Sequence, residues 1–107
     1  MNHKHKYNVI LQKLDQVISA SDAFENSRGK LLAHLDEVTD SSDLKTKVKE
    51  VFDLRKTATD MHKELCTCLQ NHHAHFLDKE MADFYQALSL GYKALRDEVI
   101  SKRSKLT

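Results

Sequence analysis

The sequence predicts an all-α protein, and within that class an elongated antiparallel three-helix bundle. The first observation is the lack of turn residues: proline is absent and glycine occurs twice, at Gly29 and Gly91. A sheet needs such punctuation every ~10 residues. The second is apolar spacing, which steps by three and four, the period of one helix face. The third is persistence, since these stripes run over about thirty residues at a time, far beyond strand length. At 107 residues the chain suits a single helical domain, 1–107, with one core. The expected helices cover about 6–38, 43–72 and 78–105.

In the first segment a seven-residue repeat starts at Tyr7. Ile10, Val17, Phe24, Leu31 and Val38 form one line of it, and Leu11, Ile18 and Leu32 widen the stripe. A stripe this broad packs against two other helices rather than one. The weak point is around Ser21, where Asp22 and Glu25 resemble a helix start. A break there gives a four-helix bundle as the alternative. One helix over 6–38 is the reading adopted, because the repeat crosses Ser21 in register.

Thr39, Asp40, Ser41 and Ser42 form the clearest boundary, because small polar side chains bond the local backbone in preference to a helix. Ser41 or Ser42 is expected to cap the next helix, with Asp43 near its positive end. So short a connection makes the two helices antiparallel neighbours. The second helix carries Leu44, Val48, Val51, Ala58, Leu65 and Leu69 inward, and a mixed-charge face from Lys45 to Glu64 outward.

The apolar pattern slips by one residue between Asn71 and Asp78, which places a turn there and a third helix over 78–105. Its stripe is Met81, Phe84, Leu88, Leu95 and Val99. A continuous helix through the slip is the alternative, and it requires a long-helix dimer because it cannot fold back on itself.

Seventeen basic residues stand against sixteen acidic ones, for a net charge of +1, and the pI is about 7.8. That balance argues against nucleic acid as a partner. No apolar stretch long enough for a membrane span is present. Cys66 and Cys68 point about 200° apart on a helix and cannot bond each other. Reduced thiols suit a cytoplasmic protein. Sequence motifs for phosphate loops, nucleophile elbows and paired metal ligands are lacking, so an enzyme is not expected.

Two sets of residues stand out. His62, Cys66 and His73 lie within about 40° on a helical wheel, and imidazole with thiolate suits Zn²⁺. A fourth ligand is expected from His34 or Asp36. The same histidines, with His72 and His75, also fit a pH-responsive regulator. On the last helix Phe84, Tyr85, Leu88 and Tyr92 form an apolar and aromatic face, extended by Tyr7, of the kind that anchors a protein partner.

The expected function is a non-catalytic protein-interaction module of chaperone, adaptor or inhibitor type, with homo-oligomerisation among its modes. No cofactor is expected unless the histidine–cysteine group takes Zn²⁺. A peripheral membrane or BAR-like helical module is the competing class. In layout, a long helix, a serine-rich break and two further long helices resemble the first half of a sorting-nexin type BAR domain. That resemblance implies a peripheral membrane module, although this chain has about half the module's length and lacks the dense basic concave face used on membranes. In size and helicity the chain is also similar to small type III secretion chaperones and phage inhibitor proteins, which implies protein partners.

Overall fold

In the computed structural model, which describes residues 3–37 and 40–106, the chain forms four α-helices and, among the described residues, no strand. The expectations that fall on Val38 and Thr39 lie outside the described residues. Helix α1 runs over His5–Ala33 without interruption. Its seven-residue repeat outweighs the local polarity of residues 19–22, so the break considered near Ser21 does not occur. It stops at Ala33 rather than 38. The His34 N–H closes the last turn onto Lys30 and Leu31 at 3.2 Å each. A 3₁₀ turn, Leu35–Glu37, follows, with His34 Nδ1 and Glu37 Oε2 2.9 Å apart.

Helix α2 spans Ser41–His72, and its cap is Asp40 rather than either serine. The Asp40 carboxylate accepts the Ser42 N–H at 2.9 Å, which adds negative charge at the positive helix end. At the other end α2 does not continue. A 3₁₀ turn, His73–His75, and extended Phe76 and Leu77 reverse the chain. The cause is Phe76, which is buried between Tyr7 and Phe84 with ring centroids 5.2 and 5.3 Å away, both edge-on. The continuous long helix, and the long-helix dimer built on it, are therefore excluded.

Helix α3, Asp78–Leu90, starts at Leu77, which has no side-chain acceptor to offer. Glu80 supplies the return half of a capping box, accepting the Leu77 N–H at 3.1 Å. Its other carboxylate oxygen accepts the Tyr7 hydroxyl at 2.8 Å, which fastens the start of α1 to the start of α3.

The third helix expected over 78–105 is two helices. Helix α4 covers Tyr92–Ser104, and Gly91 alone joins it to α3. Gly91 has φ 141° and ψ 169°, a region that side chains with a Cβ hardly enter. Its N–H bonds Ala87 and Leu88 carbonyls at 3.2 and 3.0 Å, and its own carbonyl accepts the Leu95 N–H at 3.2 Å. One residue thus ends a helix and begins the next. The chain therefore has four helices rather than three; the four-helix alternative fits in number, with the break at Gly91 and not near Ser21.

Ion pairs and one side-chain hydrogen bond fix the helix directions. Lys13 to Glu64 at 3.6 Å ties α1 to α2, and Lys102 to Asp83 at 2.7 Å ties α4 back to α3. Arg96 meets Asp15 at 3.2 Å, and Arg103 meets Asn8 at 2.9 Å. Going from one pair to the other moves up α4 and down α1 by the same number of residues, so these helices are antiparallel. Carried onward, that register puts Tyr92, the first residue of α4, opposite Ser19.

All four helices feed one core at one end of the rod. It holds Ile10, Leu14 and Val17 from α1, Leu65 and Leu69 from α2, Met81 and Phe84 from α3, and Leu95 and Val99 from α4, each almost wholly buried. Each contributes on the order of 1.5–3 kcal/mol by leaving water. The molecule measures 59 × 21 × 20 Å. No described residue of α1 beyond Val17 is buried, and none of α2 before Leu65. The rest of the length is a two-helix arm.

Candidate functional site

The arm follows from unequal helix lengths. Helices of 29 and 32 residues form the α1–α2 hairpin, whereas α3 and α4 have 13 residues each. At 1.5 Å per residue, 13 residues reach about 20 Å, so α3 and α4 cover less than half of the hairpin. By the register of α4 on α1 and the His62–Tyr92 contact, the cover ends near Ser19 on α1 and His62 on α2, with Asp22 lining the last groove against Lys93. Phe24, Leu31, Val48, Val51 and Leu54 are accordingly half-buried rather than buried. Leu32, Leu35 and Phe52 are 57%, 44% and 59% exposed. They lie on α1, on the turn after it and on α2, whereas Leu77 and Leu90, 71% and 79% exposed, stand singly at the two ends of α3. A group of exposed apolar side chains on neighbouring elements marks an interaction surface more than single ones do.

The back of the arm carries a shallow groove of about 530 Å³, where Ser19, Ala20 and Ala23 face Leu54, Thr57 and Met61. Small residues on α1 leave the space that larger ones would fill. Across the arm's surface the charges pair within each helix: Glu25 with Arg28 at 3.3 Å, Lys49 with Asp53 at 2.7 Å, and Lys56 with Asp60 at 3.4 Å.

The five residues expected to form a partner surface do not form one. Tyr7 and Phe84 are in the core, 3% and 0% exposed. Burial, helped by the Glu80 carboxylate that accepts its hydrogen bond, pushes the Tyr7 phenol up to about 12. Leu88 is half-buried, and Tyr92 is half-buried with its hydroxyl 2.8 Å from His62 Nδ1. Only Tyr85 is open to solvent, tilted over the His73 ring at 6.4 Å. The seven-residue step from Tyr85 to Tyr92 implies one face only if the helix is continuous, and Gly91 separates them.

The Zn²⁺ trio also fails to assemble. His62 Nε2 and Cys66 Sγ come within 3.6 Å, and Tyr92 joins them through Nδ1. His73 lies beyond the end of α2, against Tyr85 instead. Of the fourth-ligand candidates, His34 sits at the far tip with Glu37, and the Asp36 side chain is outside the described residues. Among the described residues no group of three His, Cys, Asp or Glu side chains is placed to hold a metal ion. The neighbouring thiol behaves differently. Cys68 is buried, which raises its thiol above the ordinary value, with Lys13 opposing more weakly.

A histidine group that the sequence did not suggest lies where α1 begins. His3 and His5 join His72 and His75 around a cavity of about 320 Å³ that Lys6 also lines. Lys6 Nζ donates to the His75 carbonyl at 2.6 Å and lies 4.5 Å from the Phe76 ring centroid. His72 Nδ1 donates to the Cys68 carbonyl at 2.9 Å. The antiparallel hairpin is the signal that brings the two pairs together, since it returns the end of α2 to the start of α1.

Among the described residues no helix is long and apolar enough to cross a membrane. In comparisons with protein-family models, curated proteins and solved structures, nothing matches this chain. Its function is therefore read from its own geometry.

Proposed function

We propose that this chain is a non-catalytic protein-interaction module: an antiparallel four-helix bundle that holds out a two-helix arm as its docking face. The observation that carries the reading is the exposure of Leu32, Leu35 and Phe52 on the length of hairpin that α3 and α4 leave uncovered. Apolar area left open on a rigid two-helix frame is suited to receiving amphipathic helices from a partner. Chaperone, adaptor and inhibitor roles share this requirement. A cytoplasmic setting fits the two unpaired thiols.

The reading against catalysis is supported by the core, whose buried polar atoms among the described residues are the Tyr7 hydroxyl, held by Glu80, and the Cys68 thiol, which do not face each other across a cleft. Acid–base and nucleophilic chemistry draw on desolvated polar groups in a cleft. The Tyr92, His62 and Cys66 chain lies half-exposed between α2 and α4, outside such a cleft.

A photocrosslinking residue tests the proposal. Placed at position 52 it should label a bound partner, and placed at position 79 on the opposite end it should not. Equal labelling from both positions, or undiminished partner binding by Phe52→Glu, would refute it.

A further inference from the structure

We infer that the partner of the arm is a second copy of this chain, the two arms covering each other about a two-fold axis. This rests on the reading of the arm as a docking face, and adds the identity of what docks there. At the other end of the rod, α1 and α2 are covered by an antiparallel helix pair, α3 and α4. The arm needs a cover of the same kind, and the chain holds one more antiparallel helix pair with an open apolar face, which is the arm itself.

Of the two-fold axes that lay one arm face on the other, along or across the helices, one avoids collision. An axis parallel to the helices would bring both α3–α4 pairs onto the same place. An axis across the arm sets the two bundles at opposite ends, with α1 on α1 and α2 on α2, each antiparallel. Its position is set by the uncovered stretches. On α1 that stretch is residues 20–33, with its midpoint between Asn26 and Ser27. On α2 it is residues 41–61, with its midpoint at Val51.

Charge and shape at this midpoint are self-complementary. Glu25 and Arg28 stand on either side of the α1 midpoint, both more than half exposed. The axis places Glu25 of each copy beside Arg28 of the other, so two ion pairs cross the axis. On α2 the midpoint brings exposed Phe52 of each copy together. At the tip, Leu32 and Leu35 reach the height of Ile18 in the second copy, where a groove between α1 and α4 opens beside Lys93 and Arg96. Isologous interfaces need this kind of reciprocity. The arm is roughly 25–30 Å long and two helix diameters wide, so the pair buries on the order of 1,000–1,200 Å². That is the lower bound for a specific dimer, so a concentration-dependent association is expected.

The test is the molar mass of the whole chain by sedimentation equilibrium, from about 1 to 500 µM under reducing conditions, with helicity checked by circular dichroism. A reversible monomer–dimer equilibrium is expected. Glu25→Arg alone, or Arg28→Glu alone, should weaken it at least tenfold by setting like charges face to face. The double exchange restores opposite charges across the axis and should return the constant to within about threefold. Phe52→Glu should leave a monomer. A monomer at every concentration, or a double exchange no better than the singles, overturns the inference. Bis-ANS then separates the two claims. A monomer whose dye binding is lost in Phe52→Glu has an arm that docks something else, and only the second copy is refuted. A monomer that binds no dye refutes the docking face as well.

Discussion

Replacing Gly91 by alanine should cost the protein stability, while the same replacement at Gly29 should add to it. At both positions an added Cβ meets no heavy atom within 4 Å, so crowding drops out and the backbone alone decides. Gly91 is the only described glycine with positive φ, at 141°, and with ψ 169° it occupies a region costing an alanine about 1–3 kcal/mol. Alanine also restricts the unfolded chain, which returns about 0.4–1 kcal/mol. The net loss is about 1–2 kcal/mol. At ~2.1 cal/mol/K per residue of unfolding entropy, that lowers Tm by roughly 4–9 °C for a chain of this size. Gly29 lies inside α1, where alanine should gain about 0.5–1 kcal/mol and raise Tm by a few degrees. Thermal melts followed at 222 nm read both. D-alanine at 91, introduced by chemical synthesis, has the mirror-image preference and should behave like glycine or better. If Gly91→Ala raised Tm as Gly29→Ala does, residues 78–104 would be one helix and the one-residue joint would be wrong.

Three further outcomes follow from burial. Tyr7 titrates near 12 in the fold against an ordinary value of 10, chiefly through burial, so its contribution is whole below pH 10 and lost as pH rises toward 12. Urea titrations of wild type and Tyr7→Phe should therefore differ in their alkaline slope over that window, by up to about 2–3 kcal/mol in total. Of the two thiols, half-exposed Cys66 should be alkylated in the native chain while buried Cys68, its thiol raised by burial, waits for unfolding. Peptide mapping after a timed pulse distinguishes them, and equal rates would contradict the packing. Phe84→Ala empties a fully buried site and should cost about 3–5 kcal/mol, whereas Phe52→Ala on the arm should change monomer stability by less than about 1 kcal/mol.

The helices themselves were legible because Ile10, Leu14 and Val17, or Leu65 and Leu69, repeat at steps that only one kind of backbone turns into a face. The reversal at residues 73–77 was legible from the one-residue slip of that pattern. Gly91 was not, because Leu88 to Leu95 and Tyr85 to Tyr92 step across it by seven as though the helix continued. A glycine inside a helix costs only about 1 kcal/mol, which periodicity readily outvotes. The missed joint hid the arm as well. Phe24 and Leu31 repeat just as Ile10 and Val17 do, and what separates them is whether α4 reaches that far. The cap at Asp40 was obscured by two serines of equal aptitude beside it. The Zn²⁺ trio looked convergent because a wheel assumes that His73 still belongs to α2.

Concentrating the core at one end gives the rod a gradient of local stability. Amides near residues 24–31 and 44–54 should exchange with solvent hydrogen through openings that never disturb Phe84 or Leu14, whereas amides beside those two should wait for the whole chain to come apart. How far a residue lies from the α3–α4 end therefore sets how often it is released to the solvent. Substitutions should cost the fold less stability in the same order along the rod.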